Sequence, residues 1–310
     1  KRYSGKVFSN LVFYTTAHHI VENGFQLEEI PSQNAYELSS NDIFRGGIDL
    51  ETISTRIHAG QKPSLIFLEI CNNGAGGYPV SMSHLKALAR LSKEHGIPLI
   101  LDSTRIVRNA VLVQQHEEGY EDKSVLEIIT ESCQQADMLE GILSNDFCVN
   151  VGGIIAVRDQ MLLAEIQALA KMEGGFVSEL ESGIIGESFR DFEYIESAVR
   201  DQLFKAGSIY SAVKSSGFPL VNQASGHCLL IPVSAISSLA GKRFGKELLL
   251  KKLWEETGIR GGIHIPGQQY ESTLNDCIRL CLPLGLTDDE EQIVTDGLVN
   301  LRFTDEQNST

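Results

Sequence analysis

Apolar positions along the chain fall into short runs separated by polar loops, and the stretch from Ser64 to Arg105 is the most regular. Leu65-Ile-Phe-Leu-Glu-Ile70 has strand length and β-branched character. It ends in Cys71-Asn-Asn-Gly-Ala-Gly-Gly77, a loop whose glycines admit positive φ or close backbone approach. A helix follows, with Ser81 or Ser83 as cap and Leu85, Leu88 and Leu91 recurring on one face; Gly96 stops it. A second apolar strand, Pro98-Leu-Ile-Leu101, delivers Asp102-Ser-Thr-Arg105 at its carboxyl end. The pattern predicts one strand–loop–helix–strand unit of a parallel sheet. In open α/β sheets ligands sit just past the carboxyl ends of the strands, and Asn73, Asp102 and Arg105 occupy such positions.

Around this unit the pattern predicts a strand and turn over 7–16, a short alternating strand over 24–30, a polar loop over 31–48 and a helix over 49–59. His18 and His19 read as solvent-facing or capping. After Arg105 comes an expected loop, then Ser124-Val-Leu-Glu127, a capping box that opens a helix with Val125, Ile128 and Ile129 inward. Gly152 and Gly153 open a strand at 154–157, and helices are expected over 158–173 and most of 184–216. From Gly217 the elements shorten: a strand at 227–232, a helix at 246–257, a strand at 278–283 and a last helix at 288–303. That last helix has Asp288, Asp289, Glu290 and Glu291 favourably placed at its N-terminus. The polar tail 304–310 is expected to be disordered. The change of texture divides the chain into a large domain, 1–215, and a small one, 216–310.

Composition narrows the function. The 310 residues, 42% hydrophobic, support an ordinary buried core. A net charge of −15 argues against nucleic acid or an anionic membrane as the main partner. No apolar run has transmembrane length and no signal-peptide pattern opens the chain. A chain opening on Lys1 reads as a piece of a longer protein or a processed product. The six cysteines show no metal-knuckle spacing, and Cys277 and Cys281, on one face of a strand, would lie about 13 Å apart, beyond disulfide reach. They read as reduced thiols of a cytoplasmic protein. The eight histidines show no paired metal motif.

Asn73-Gly-Ala-Gly-Gly-Tyr-Pro-Val-Ser-Met82 and Leu99-Ile-Leu-Asp-Ser-Thr-Arg-Ile-Val-Arg-Asn-Ala110 closely resemble tryptophanase and tyrosine phenol-lyase. The resemblance runs from about Asn10 to Leu301. It implies an α/β fold of the aspartate-aminotransferase type (fold type I), with a mostly parallel large-domain sheet and a small C-terminal α/β domain. It also implies pyridoxal 5'-phosphate as cofactor, potassium as a second one, and an amino-acid substrate with a leaving group on its β-carbon. By the same resemblance the chain forms a homodimer or homotetramer, or joins a partner chain. Carried onto matching positions, Asp102 holds the protonated ring nitrogen, Asn73 and Arg105 donate to the phenolic oxygen, and Phe13 lies flat on the ring. Arg279 clamps the substrate carboxylate, Asn150 is a ligand of the monovalent cation, and His264 falls where tyrosine phenol-lyase keeps an arginine facing the phenol. The stretch 174–187 resembles a mobile active-site loop.

On chemistry alone, Asp102 reads equally as a turn former, Asn73 as a turn residue, Arg105 as an ion-pair partner of Asp102, and Phe13 as core. Asn150 and His264 read equally as plain loop residues. For Arg279 the ligand reading is the better one, because an arginine inside an apolar strand is costly without a partner, and its guanidinium fork matches a carboxylate.

One position departs from the family. Aligned without gaps from Ala136-Asp137 to Gly152-Gly153, the Schiff-base lysine falls on Asn145, its neighbouring lysine on Ser144, and the phosphate-binding serine on Ile142. No lysine occurs between Lys123 and Lys171. An asparagine has no basic nitrogen with which to form the imine or take the α-proton. The family's phosphate-cradling glycine loop lies upstream of the segment matched here. Three readings stand: an altered or truncated lyase, a lysine-free relative, or a non-catalytic subunit that keeps the fold for assembly or ligand binding.

Overall fold

Residues 4–222, 224–267 and 273–303 are described by a computed structural model; the polar tail 304–310 lies outside them. The expected central unit is present as β3 (Leu65–Glu69), α3 (Met82–Glu94) and β4 (Leu99–Asp102). Ser81 caps α3, its hydroxyl accepting from the His84 N–H. Around it lie β1 (Gly5–Ser9), α1 (Tyr14–Glu22), β2 (Phe25–Glu29), α2 (Leu50–His58), α4 (Ile106–His116), α5 (Val125–Cys133), β5 (Met138–Ile142) and β6 (Gly153–Val157). The six strands run in the order β2-β1-β3-β4-β5-β6, parallel throughout except for β6. This is the α/β, mostly parallel sheet expected from the sequence.

Side chains alternate across each strand. Ile66, Leu68, Leu99 and Leu101 face a core filled by Ile53 and Ile57 of α2, Leu85 and Leu88 of α3, Val107 and Val111 of α4, and Val125 and Ile128 of α5. On the opposite face, Val7, Leu27 and Phe67 pack with Ala17 of α1. That second face is poorly covered toward β6, where Ile142 and Ile155 are half or more exposed. The following helices, α6 (Gln160–Glu173) and α7 (Glu179–Arg190), bury no residue, and Met161, Met172, Phe176 and Leu180 stand in solvent.

The second region is built on α8 (Phe192–Ser215), β7 (Cys228–Pro232), α9 (Gly245–Thr257), β8 (Gly262–Ile263), β9 (Cys277–Cys281) and α10 (Asp288–Asn300). Its antiparallel sheet has the order β7-β9-β8. Leu229, Ile231, Ile278 and Leu280 form its core with Leu249, Leu253 and Leu298. The helix α8 serves both cores: Ile195 and Val199 belong to the first, Ala206, Ile209 and Val213 to the second.

Three expectations are corrected. The loop expected after Arg105 is α4, whose residues 106–113 are all buried, so no polar stripe marks its period. The strand expected over 7–16 ends at Ser9, where the Asn10 side chain turns to bond Gly46 and Glu69, and helix begins at Tyr14. The glycine-rich stretch 174–187 is loop only as far as Ser178. A capping box between Ser178 and Glu181 starts α7 there, and Asp191, capping α8, breaks the long helix expected next.

A buried ion pair in the first region is linked through Gln202 to the second. Arg108 Nη1 lies 3.0 Å from Asp146 Oδ1, with the two side chains 2% and 0% exposed. The Arg108 N–H donates to Asp146 Oδ2, and its Nε and Nη2 donate to Gln202 Oε1 on α8. Gln202 in turn donates to the Leu282 carbonyl beyond β9. Removing one partner strands a buried charge. Asp146→Ala is therefore expected to cost about 3–5 kcal/mol, read as a lowered urea midpoint with an unchanged denaturant slope.

Candidate active site

The parallel register sets three carboxylates side by side. Glu69 pairs with Asp102, and Asp102 with Glu140, so all three project from one face near the carboxyl ends of β3, β4 and β5. Glu69 is fully enclosed and binds two loops: its Oε1 accepts from the Asn73 N–H at 2.7 Å and its Oε2 from the Phe13 N–H at 3.2 Å. Asp102 Oδ1 accepts from the Thr104 N–H at 2.9 Å. Burial and then the Asp102 charge push Glu69 up to about 8, despite Arg105 and its two N–H donors. The same causes raise Glu140 to about 7. Burial raises Asp102 too, against the Thr104 hydrogen bonds and Arg105.

Asn73 and Arg105 come to the same place. Arg105 Nη1 lies 4.0 Å from Glu69 Oε1, so its ion pair runs to Glu69 rather than to Asp102. Its Nε has no partner, and neither does the Asn73 Oδ1. Phe13 is no core residue. Its N–H is held by Glu69, its ring lies 4.5 Å from that of Tyr14, and the residue is 42% exposed.

From the second sheet comes Arg279. Its Nη2 donates to His227 Nε2 at 2.7 Å, and its Nε is unpartnered. Burial and the charges of Arg105, Arg108 and Arg279 hold His227 well below the usual imidazole range. The neutral ring accepts at Nε2 and carries its proton on Nδ1, which meets no partner. His264 is also buried. Its Nε2 donates to the Gly74 carbonyl at 3.0 Å, and burial followed by Arg279 lowers it to about 4. Burial and Arg279 thus favour the neutral ring of His264, whose Nε2 is engaged by Gly74. It ties the second sheet to the loop carrying Asn73.

Asn145 lies half-buried in the turn after β5, its carbonyl 3.4 Å from Arg108 Nη2. Lys205, the buried lysine among the described residues, is committed to the Leu286 carbonyl, Asp201 and Asp288. Ser144 and Asn150 are exposed, as is Ile142 at 55%. Among the described residues no group of three or more His, Cys, Asp or Glu could hold a metal ion.

Five buried side-chain atoms without a partner therefore belong to one constellation: Asn73 Oδ1, Arg105 Nε, His227 Nδ1, His264 Nδ1 and Arg279 Nε. Buried polar atoms are normally satisfied, so this concentration fits a site completed by a ligand. Its donor set suits a flat heteroaromatic ring with an amino-acid carboxylate. The phosphate end of such a ligand finds no matching group at Ile142.

Glu69, Glu140 and His227 carry no weight in the sequence reading. The two glutamates lie in runs that read as strand, and His227 merely opens one. The signal for Glu69 was a carboxylate inside an apolar run, in the same place relative to its strand end as Asp102. Raised carboxyl values mean that the fold holds protons the unfolded chain has released. This stability is full below about pH 4.5 and is lost as pH rises to about 8. The melting temperature is expected to fall between about pH 5 and pH 8, and Glu69→Gln to flatten that slope, as followed by circular dichroism.

Comparison with known proteins gives the family and the fold. A family model described as beta-eliminating lyase matches residues 2–235. The tyrosine phenol-lyase of Fusobacterium nucleatum is 28% identical over 94% of this chain and 67% of its own length. The tryptophanase of Salinibacter ruber is 27% identical over 90% and 62%. The chain thus spans about two thirds of the length of these relatives. Among solved structures, a complex of SepCysS with the SepCysE N-terminal domain matches with a TM-score of 0.59 and 13% identity, over 96% of this chain and 75% of the other. The pyridoxal-phosphate-dependent cyclase OrfR matches with 0.69 and 16%, over 96% and 72%. These two establish likeness of fold. From the family match, the chain belongs to the beta-eliminating lyases.

Proposed function

We propose that this chain carries the ring and carboxylate sites of a pyridoxal-phosphate β-lyase but does not hold the cofactor covalently. The observation that supports it is the convergence of unpartnered buried polar atoms, both donors and acceptors, around Asp102 and Arg279, with Asn145 where the lysine would stand. Asp102 would face the ring nitrogen, Asn73 and Arg105 the phenolic oxygen, and Phe13 the ring. Arg279, held by His227, would grip the carboxylate of a β-substituted amino acid with a C–C or C–S bond to be cleaved. When bound, the cofactor supplies an electron sink for that cleavage. This chain's part is to bind and orient, since Asn145 has no basic nitrogen to take the α-proton.

A second reading, a non-catalytic subunit that keeps the fold for assembly, draws on a different observation. The apolar side chains of β6, α6 and α7 stand in solvent, as faces that another chain covers do. A homodimer, a homotetramer or a heteromeric assembly would bury them. No helix among the described residues is long and apolar enough to cross a membrane.

Mixed with pyridoxal phosphate and then borohydride, the chain is expected to retain no cofactor, whereas Asn145→Lys is expected to retain one. A reduced phosphopyridoxyl amino acid, which needs no lysine, should bind, and Arg279→Ala should weaken it by roughly ten- to hundred-fold in calorimetry. Borohydride labelling of the unmodified chain at another lysine would overturn the assignment of Asn145.

A further inference from the structure

Beside Arg279, the second sheet brings two cysteines together. Cys228 on β7 and Cys281 on β9 are direct partners in the antiparallel register. The Leu282 N–H donates to the His227 carbonyl at 2.9 Å, so the hydrogen bonds flank this pair and do not join it. Residues opposed in that way have Cα atoms about 4.5 Å apart and side chains on one face, within the span of about 4.4–6.8 Å that a disulfide bridges. Accessibility is divided between them: Cys281 is exposed and Cys228 is 2% exposed. The Cys228 thiol donates to the Gly76 carbonyl at 3.1 Å, in the loop that carries Asn73. Arg279, two residues before Cys281 and so on its face, lies close enough for its charge to act on both thiols.

We infer that Cys228 and Cys281 are a reversible cross-strand thiol pair whose closure disturbs the Arg279 carboxylate site. With a peroxide as oxidant, the Cys281 sulfur attacks one peroxide oxygen, giving a sulfenic acid and releasing water. The Cys228 sulfur then attacks that sulfur and expels the second water. Two thiol hydrogens and two electrons leave the protein, one peroxide is reduced to two waters, and one S–S bond forms. A dithiol reverses it by exchange. Although Cys281 is open to solvent on one side, the neighbouring protein desolvates its thiol and raises it against the pull of Arg279, so the attack quickens as pH rises. Opposed strands hold the Cβ atoms about 4.5–5.5 Å apart, at or beyond the upper end for a disulfide, so the bond is of the strained, readily reduced kind. Closure takes the proton that Cys228 gives to Gly76 and the thiol on which the Arg279 charge acts, loosening both walls of the site.

The chain, fully reduced and then exposed to hydrogen peroxide, is followed by thiol titration and a non-reducing peptide map. Two of the six free thiols are expected to disappear, with one linked peptide joining Cys228 to Cys281, and dithiothreitol is expected to restore both. Cys281→Ser should yield no linked peptide. A map without that peptide, or equal thiol loss in Cys281→Ser, overturns the pair. The effect on the site rests on the function proposed above. There, oxidation is expected to weaken a phosphopyridoxyl amino acid by roughly tenfold, about 1.4 kcal/mol. Unchanged affinity on full closure overturns the coupling to Arg279. A reduced chain that does not bind the probe overturns the functional reading and the coupling with it, while the map still decides the disulfide.

Discussion

Parallel strands in register bring like positions side by side, about 4.8 Å apart, and in this protein three of those positions are carboxylates. Glu69, Asp102 and Glu140 form a row across β3, β4 and β5. Three adjacent carboxylates out of water do not all ionise, and the local architecture follows from managing that charge. Glu69 takes the N–H groups of Asn73 and Phe13, which draws the loops after β3 and β1 over the row. Arg105 closes on the same carboxylate from the end of β4. The site is therefore held by its own electrostatic imbalance, which a cationic ring beside Asp102 would relieve.

The second constraint is the attachment of the two cores. Apolar contacts alone would leave β7, β8 and β9 free to shift over the first sheet. Arg108, Asp146 and Gln202 prevent this with directional bonds from α4 through the turn after β5 to α8 and Leu282. His264 adds a direct tie from the small sheet to Gly74. Arg279 is thus positioned against the strand ends by bonds that tolerate little slippage. The Asp146 that anchors this network is the neighbour of Asn145, so the same turn carries both.

Seen from the site, the family resemblance divides. In the function proposed above, groups suited to a ring and a carboxylate would be assembled, while Asn145 and Ile142 would stand where the groups that fix the cofactor are expected. Exposed apolar side chains on β6, α6 and α7 lie in the same half of the sheet as these two residues.

The sequence by itself determined the local elements and the family. Alternating apolar runs marked the strands, Ser81 and the Ser124–Glu127 box marked helix starts, and Asp102-Ser-Thr-Arg105 marked the strand end where ligands bind. It failed where burial was complete: α4 has no polar stripe, so periodicity could not distinguish it from a loop. Only the tertiary structure decided which distant residues meet. Spacing along the chain rightly separates Cys277 from Cys281, but it is blind to Cys228, which becomes the partner of Cys281 only once β7 and β9 pair. The carboxylate row and the grip of His227 on Arg279 arise in the same way. Register between strands is set by packing across the whole sheet, and no local pattern encodes it.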